Sequence, residues 1–91
     1  MTHEQLIFRS PIQEIGLNKG LAYRESTEQW YPVTRVAAIM PWTLCTTGER
    51  ELATPFHFST QDGAIAYLVE NKGLTQPYID RFLREQAEKH S

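Results

Sequence analysis

Apolar residues fall into two kinds of pattern along the chain: short runs through its first two thirds and helical periods in its last third. Leu6-Ile7-Phe8-Arg9 is a short apolar run that stops at Ser10-Pro11. It reads as a strand, because Pro11 cannot donate to a ladder and pushes Ser10 toward extended geometry. From Pro11 to Gly20 the apolar positions Ile12, Ile15 and Leu17 keep no period, and Gly16 and Gly20 bracket Asn18-Lys19. A loop with room for one helical turn is expected there. Leu21 to Arg24 and Trp30 to Ile39 read as second and third strands, joined by the polar tip Glu25 to Gln29 as a hairpin loop. On the third strand Val33, Arg35, Ala37 and Ile39 would share one face and Thr34, Val36, Ala38 and Met40 the other. Pro41 to Pro55 is a long irregular connection, of the kind that is usually functional or mobile. Phe56-His57-Phe58 is expected as a fourth strand, with both phenylalanines on one face.

The helical signals are stronger. Ser59-Thr60-Gln61-Asp62 fits a Ser-x-x-Asp capping box with Ser59 as the cap. Behind it Ala64, Ile65, Leu68 and Val69 fall on one face. Lys72-Gly73 closes the helix, with a cation at its negative end and a glycine free to turn left-handed. A second helix is predicted from Thr75, with Pro77 tolerated in its first turn. Its apolar stripe is Tyr78, Ile79, Phe82 and Leu83. The pairs Asp80–Arg84, Arg81–Glu85, Arg84–Glu88 and Glu85–Lys89 stand four apart and mark a solvated face. Strands followed by two helices make a single α+β domain over residues 1–91, a small antiparallel sheet of about four strands packed by one or two C-terminal helices. Leu6-Ile7-Phe8, Phe56 and Phe58 aside, the core is expected from the first helix: Ile65, Leu68 and Val69 against the face carrying Phe56 and Phe58.

Composition narrows the chemistry. Leu, Ile, Val and Phe make up about 23 % of the 91 residues, above the level of roughly 20 % below which highly charged chains stay disordered. The net charge of −2 argues against unaided binding to duplex nucleic acid, where several phosphates would need neutralising. No apolar run approaches the roughly 20 residues of a membrane span. The lone Cys45 leaves no intrachain disulfide and fits the cytoplasm or another reducing compartment. His3, His57 and His90 show no ligand spacing, so neither a metal site nor a cofactor is expected. Cys45 would need a base to act as a nucleophile. Only His57 offers one, and Glu49 and Glu51 bring the wrong sign. A non-enzymatic protein is the expectation.

Binding chemistry has better support. Trp30, Tyr31 and Trp42 gather aromatic surface close to Arg35 and Arg50, and Trp, Tyr and Arg are the residue types that dominate interface hot spots. The competing role for Trp30 and Trp42 is as the large residues a small core needs. The sequence leaves open which of the two is exposed. The expected partner-binding residues are Trp42, Glu49, Arg50, Glu51, Tyr31 and Arg35, centred on the connection from Trp42 to Leu52. There Trp42 is the aromatic anchor, and Arg50 is a fork able to hold a carboxylate.

Pro41-Trp42-Thr43, a polar loop, then Phe56-His57-Phe58-Ser59-Thr60 and the helix Asp62-Gly63-Ala64-Ile65-Ala66-Tyr67 with Glu70-Asn71-Lys72-Gly73 form a sequence of motifs. Together with Ile7-Phe8-Arg9-Ser10-Pro11, Gly20 and Trp30, this stretch resembles a small accessory subunit of respiratory complex I (NADH dehydrogenase) over residues 7–73. The chain departs from that pattern at Pro41 and Gly63, and in ending on a helix where the family tends to end on a strand. The resemblance implies a non-catalytic protein docked on the redox arm of an NADH-oxidising complex. The alternative is a free-standing adaptor or inhibitor, for example phage- or plasmid-encoded, that occludes a protein partner. Both expect a protein partner, with no direct nucleic acid and no membrane insertion.

Overall fold

The computed structural model describes residues 11–47 and 54–89. The expected strand at Leu6–Arg9 and the charged triplet Glu49-Arg50-Glu51 lie outside them. The chain is an α+β domain. Four antiparallel strands, β1 (Gln13–Gly16), β2 (Lys19–Arg24), β3 (Gln29–Thr34) and β4 (Thr43–Leu44), make one sheet in the order β1-β2-β3-β4. A ribbon of β5 (Thr46–Thr47) and β6 (Thr54–Pro55) precedes two helices, α1 (Gln61–Lys72) and α2 (Gln76–Lys89). Helix α1 lies across β2 and β3, and α2 lies against β1.

The segment expected as a loop before Gly20 is in fact β1 and its hairpin. The register shifts between Glu14 and Gly16, and a bulge of this kind breaks the two-residue alternation by which a strand is recognised. The turn is closed by Asn18 at φ 60, a left-handed conformation that asparagine tolerates. Gly20 is required by packing. A Cβ built there would stand 2.6 Å from the Gln13 carbonyl oxygen, so a side chain would push β1 off β2.

The third strand stops at Thr34, five residues short of the expected Ile39. Its partner β2 begins at Lys19, which faces Thr34, and past that point the ladder has nothing to pair with. Phe56-His57-Phe58 likewise makes only a bridge: Trp30 N–H donates to the Phe58 carbonyl at 2.8 Å and Phe58 N–H to the Trp30 carbonyl at 2.9 Å. The fourth strand of the sheet is Thr43–Leu44 instead. The alternation within 56–58 survives. Phe56 and Phe58 face the Tyr67 ring at 4.4 and 5.9 Å between centroids, while His57 faces Tyr31 at 5.9 Å.

Helix α1 is capped by Thr60 rather than Ser59. Thr60 Oγ1 accepts from Gly63 N–H at 3.1 Å, satisfying one of the orphan donors of the first turn. At the other end Gly73 takes φ 74, and Leu74 N–H donates to the Leu68 carbonyl at 3.2 Å. Ala64, Ile65 and Leu68 are buried, but Val69 is 42 % exposed. At about 100° per residue Val69 sits roughly a quarter turn from the centre of the buried stripe. On α2 only Ile79 and Phe82 are buried, with Tyr78 and Leu83 at the margins.

Two apolar clusters result. Ile15, Leu21, Ala64, Ile65, Leu68, Leu74, Ile79 and Phe82 fill the space between sheet and helices, with Trp30, Phe58 and Tyr67 at its edge. Alternation along β2 and β3 sends Ala22, Tyr31 and Val33 to the other face, where Ile12, Trp42 and Leu44 pack on them. Trp30 and Trp42 thus divide the work. Each is half-buried against a different cluster.

Candidate interaction surface

The β1–β2 turn and the β3–β4 connection lie at the same end of the sheet, because β1 and β3 both run toward it. Arg35, the first residue past β3, ties them together. Its backbone N–H donates to the Asn18 carbonyl at 3.1 Å, Nε donates to Asn18 Oδ1 at 3.1 Å, and Nη2 meets Glu14 Oε2 at 2.9 Å. Its guanidinium carbon lies 4.3 Å from the centre of the Trp42 ring, within the range of a cation–π contact. The Arg35 side chain is only 17 % exposed. One cation therefore holds both ends of the connection, since Trp42 stands where the chain re-enters the sheet at Thr43.

Everything beyond this clamp is apolar. Val36-Ala37-Ala38-Ile39-Met40-Pro41 carries no charge and no side-chain hydrogen-bonding group other than the weak thioether acceptor. Val36 is 89 % and Ile39 94 % exposed, and Met40 is about half exposed. A turn bond from Met40 N–H to the Ala37 carbonyl, 2.9 Å, folds the tip back on itself. Beside it the β1–β2 turn presents Leu17, 70 % exposed. Next to Leu17, between β1 and α2, an open hollow of about 280 Å³ has Ile15, Tyr78 and Phe82 among its walls.

Of the residues expected at a partner surface, the structure brings Arg35 and Trp42 into contact. Tyr31 is placed in the second cluster at 5 % exposure, where it supports Trp42 from below the sheet and offers almost no surface. Glu49, Arg50 and Glu51 lie outside the described residues. The residues that sequence reasoning missed are Val36, Ile39, Met40 and Leu17. Their signal was present as six consecutive uncharged apolar positions ending in Pro41, but the alternation expected of a strand absorbed it.

Cys45 is buried, and burial pushes its thiol upward, against smaller opposing effects of Lys72 and of hydrogen bonds with Thr34 and Tyr67. A thiol used as a nucleophile needs the opposite shift. Among the described residues no three His, Cys, Asp or Glu side chains gather as a metal site would require, and no helix is long and apolar enough to cross a membrane. No family model, no curated protein and no solved structure matches the chain.

Proposed function

We propose that this chain is a non-catalytic protein-binding module that docks through the loop Val36–Pro41, with Arg35 and Trp42 as its base. The observation that carries the reading is the exposure of Val36 and Ile39 on a loop whose two ends are fastened by one arginine. Large aliphatic side chains grouped at one end of a domain mark an interaction site more often than isolated ones do. A loop already held in one shape also loses less conformational freedom on binding. The resemblance to an accessory subunit of complex I supports the redox arm of an NADH-oxidising complex as the partner. Action as an adaptor or inhibitor on another protein is the second reading, and the same loop would serve it.

The test is an affinity pull-down with mass spectrometry from the native host, using the wild type, Ile39→Asp and Arg50→Glu. Subunits of an NADH-oxidising complex retained by the wild type and lost by Ile39→Asp are expected. A different protein lost in the same way would move the assignment to an adaptor. Retention of every partner by Ile39→Asp would remove the loop from the binding surface. For Arg50→Glu, a loss of at least about 2 kcal/mol with melting unchanged is expected if the connection beyond Trp42 also touches the partner.

A further inference from the structure

We infer that the apolar loop is covered by a second copy of this chain, its Ile39 seated in the partner copy's hollow beside Leu17 and Tyr78, and the reverse. The inference rests on the protein-binding reading of the loop and adds its regulation: self-association shields the docking surface until a partner displaces it.

Several observations point to a second copy. The knob and the hollow sit on either side of one turn, Leu17-Asn18. Leu17 lines the hollow, while Asn18 accepts the Arg35 N–H at the base of the loop. A twofold axis beside that turn therefore makes both contacts at once in a single continuous patch, the arrangement that closes a dimer rather than growing a filament. The hollow is about 280 Å³, below the range of roughly 300–1,000 Å³ typical of sites for whole small molecules. It suits an inserted aliphatic side chain better. Charges at its rim already have partners: Glu14 meets Arg35 at 2.9 Å and Arg81 meets Glu85 at 3.2 Å. Covering them leaves no lone charge without water.

The other occupants fit less well. A lipid surface holds an apolar tip best when basic residues flank it, but the chain carries a net charge of −2 and the cation at the loop base is committed to Glu14. Strand pairing offers no alternative route to a dimer, because β1 is bulged and β4 is two residues long. Both features protect a sheet edge from added strands.

Sedimentation velocity and light scattering over a concentration series test this on the full chain. The wild type is expected to approach twice its 10.5 kDa mass as concentration rises. Ile39→Asp spoils the knob and Tyr78→Glu spoils the hollow, so each should raise the dimer dissociation constant by about tenfold or more, with circular dichroism unchanged. Mixing the two variants is the sharper measurement. Each homodimer has lost both contacts by symmetry, whereas the mixed pair keeps one intact knob in one intact hollow and should associate more tightly than either variant alone. A wild type that stays monomeric throughout overturns the inference, as does a dimer unmoved by both variants. Open-ended growth with concentration overturns the twofold arrangement. Binding of a monomeric wild type to phosphatidylcholine–phosphatidylserine vesicles, lost in Ile39→Asp, would give the loop to a membrane instead. A monomer that still retains its partner in the pull-down rejects the dimer and leaves the docking function standing.

Discussion

Two six-residue segments of this chain have nearly the same composition and opposite fates. Ala64-Ile65-Ala66-Tyr67-Leu68-Val69 and Val36-Ala37-Ala38-Ile39-Met40-Pro41 each hold two alanines, one isoleucine and one valine, and neither carries a charge. The first contributes Ala64, Ile65 and Leu68 to the core. The second leaves Val36 and Ile39 almost wholly in water. The difference lies in the backbone. A helix satisfies its own N–H and C=O groups, so α1 can lay a stripe on the sheet with no polar debt. Past Thr34 the other segment has no strand beside it, and Pro41 has no N–H to donate. Burial requires that the peptide groups find partners as well as the side chains. Where only the side chains are suited to burial within the chain, they are left for something outside it.

The comparison breaks most easily at Leu68, which is fully buried. Leu68→Ala is expected to destabilise by about 2–5 kcal/mol, a large share of what a domain of this size possesses. Urea melts give the value directly. A cost under about 1 kcal/mol would mean that the site collapses around the smaller side chain and that α1 is not the centre of the core.

The legibility of these regions follows the same division. Both helices could be read because a period of 3.6 survives whatever packs against it, and Gly73 marked the end of α1. The hairpin from β2 to β3 was legible from two runs and a polar tip. What failed was each place where long-range pairing decides the structure. β1 is hidden by its bulge at Ile15, and β3 looked longer because Val36 to Met40 alternate well enough for a strand. β4 is too short to carry a pattern, so Phe56 to Phe58 took its place. At the candidate surface, Trp42 and Arg35 were legible as residue types, but their contact was not. Nor was the loop they secure, since its exposure depends on where β2 begins.

A smaller effect separates the two possible caps. Thr60→Ala removes the acceptor of the Gly63 N–H and should cost about 1 kcal/mol, whereas Ser59→Ala should cost a few tenths at most. Equal melts for the two variants would show that the helix start is held by packing of Phe58 and Tyr67 instead of by its cap.

Alkaline conditions probe the packing around Cys45. Burial holds the Cys45 thiol above its ordinary value of 9.0, and it raises Tyr67 as well, with Cys45 adding to that rise. The folded pKa exceeds the unfolded one. The stability contributed by the neutral thiol is therefore fully present below pH 9.0 and is lost as pH rises through the folded value. Urea midpoints measured from neutral pH into the tyrosine range should decline, and Cys45→Ala should remove the earlier part of that decline. An unchanged profile in Cys45→Ala would assign the whole slope to Tyr67.

The smallest expected change in stability is the most informative about the loop. Val36→Ser and Ile39→Ser alter side chains that are already almost fully hydrated, so little transfer free energy is at stake. Neither side chain is named in either core cluster. Each variant should melt within about 0.5 kcal/mol of the wild type. The contrast with Leu68→Ala is then at least fourfold, between segments that hydropathy alone would treat alike. A loss above about 1 kcal/mol in Ile39→Ser would show that the loop folds onto its own domain in solution. The exposed tip would then be a second satellite of the core, and the docking surface would have to be sought elsewhere on the molecule.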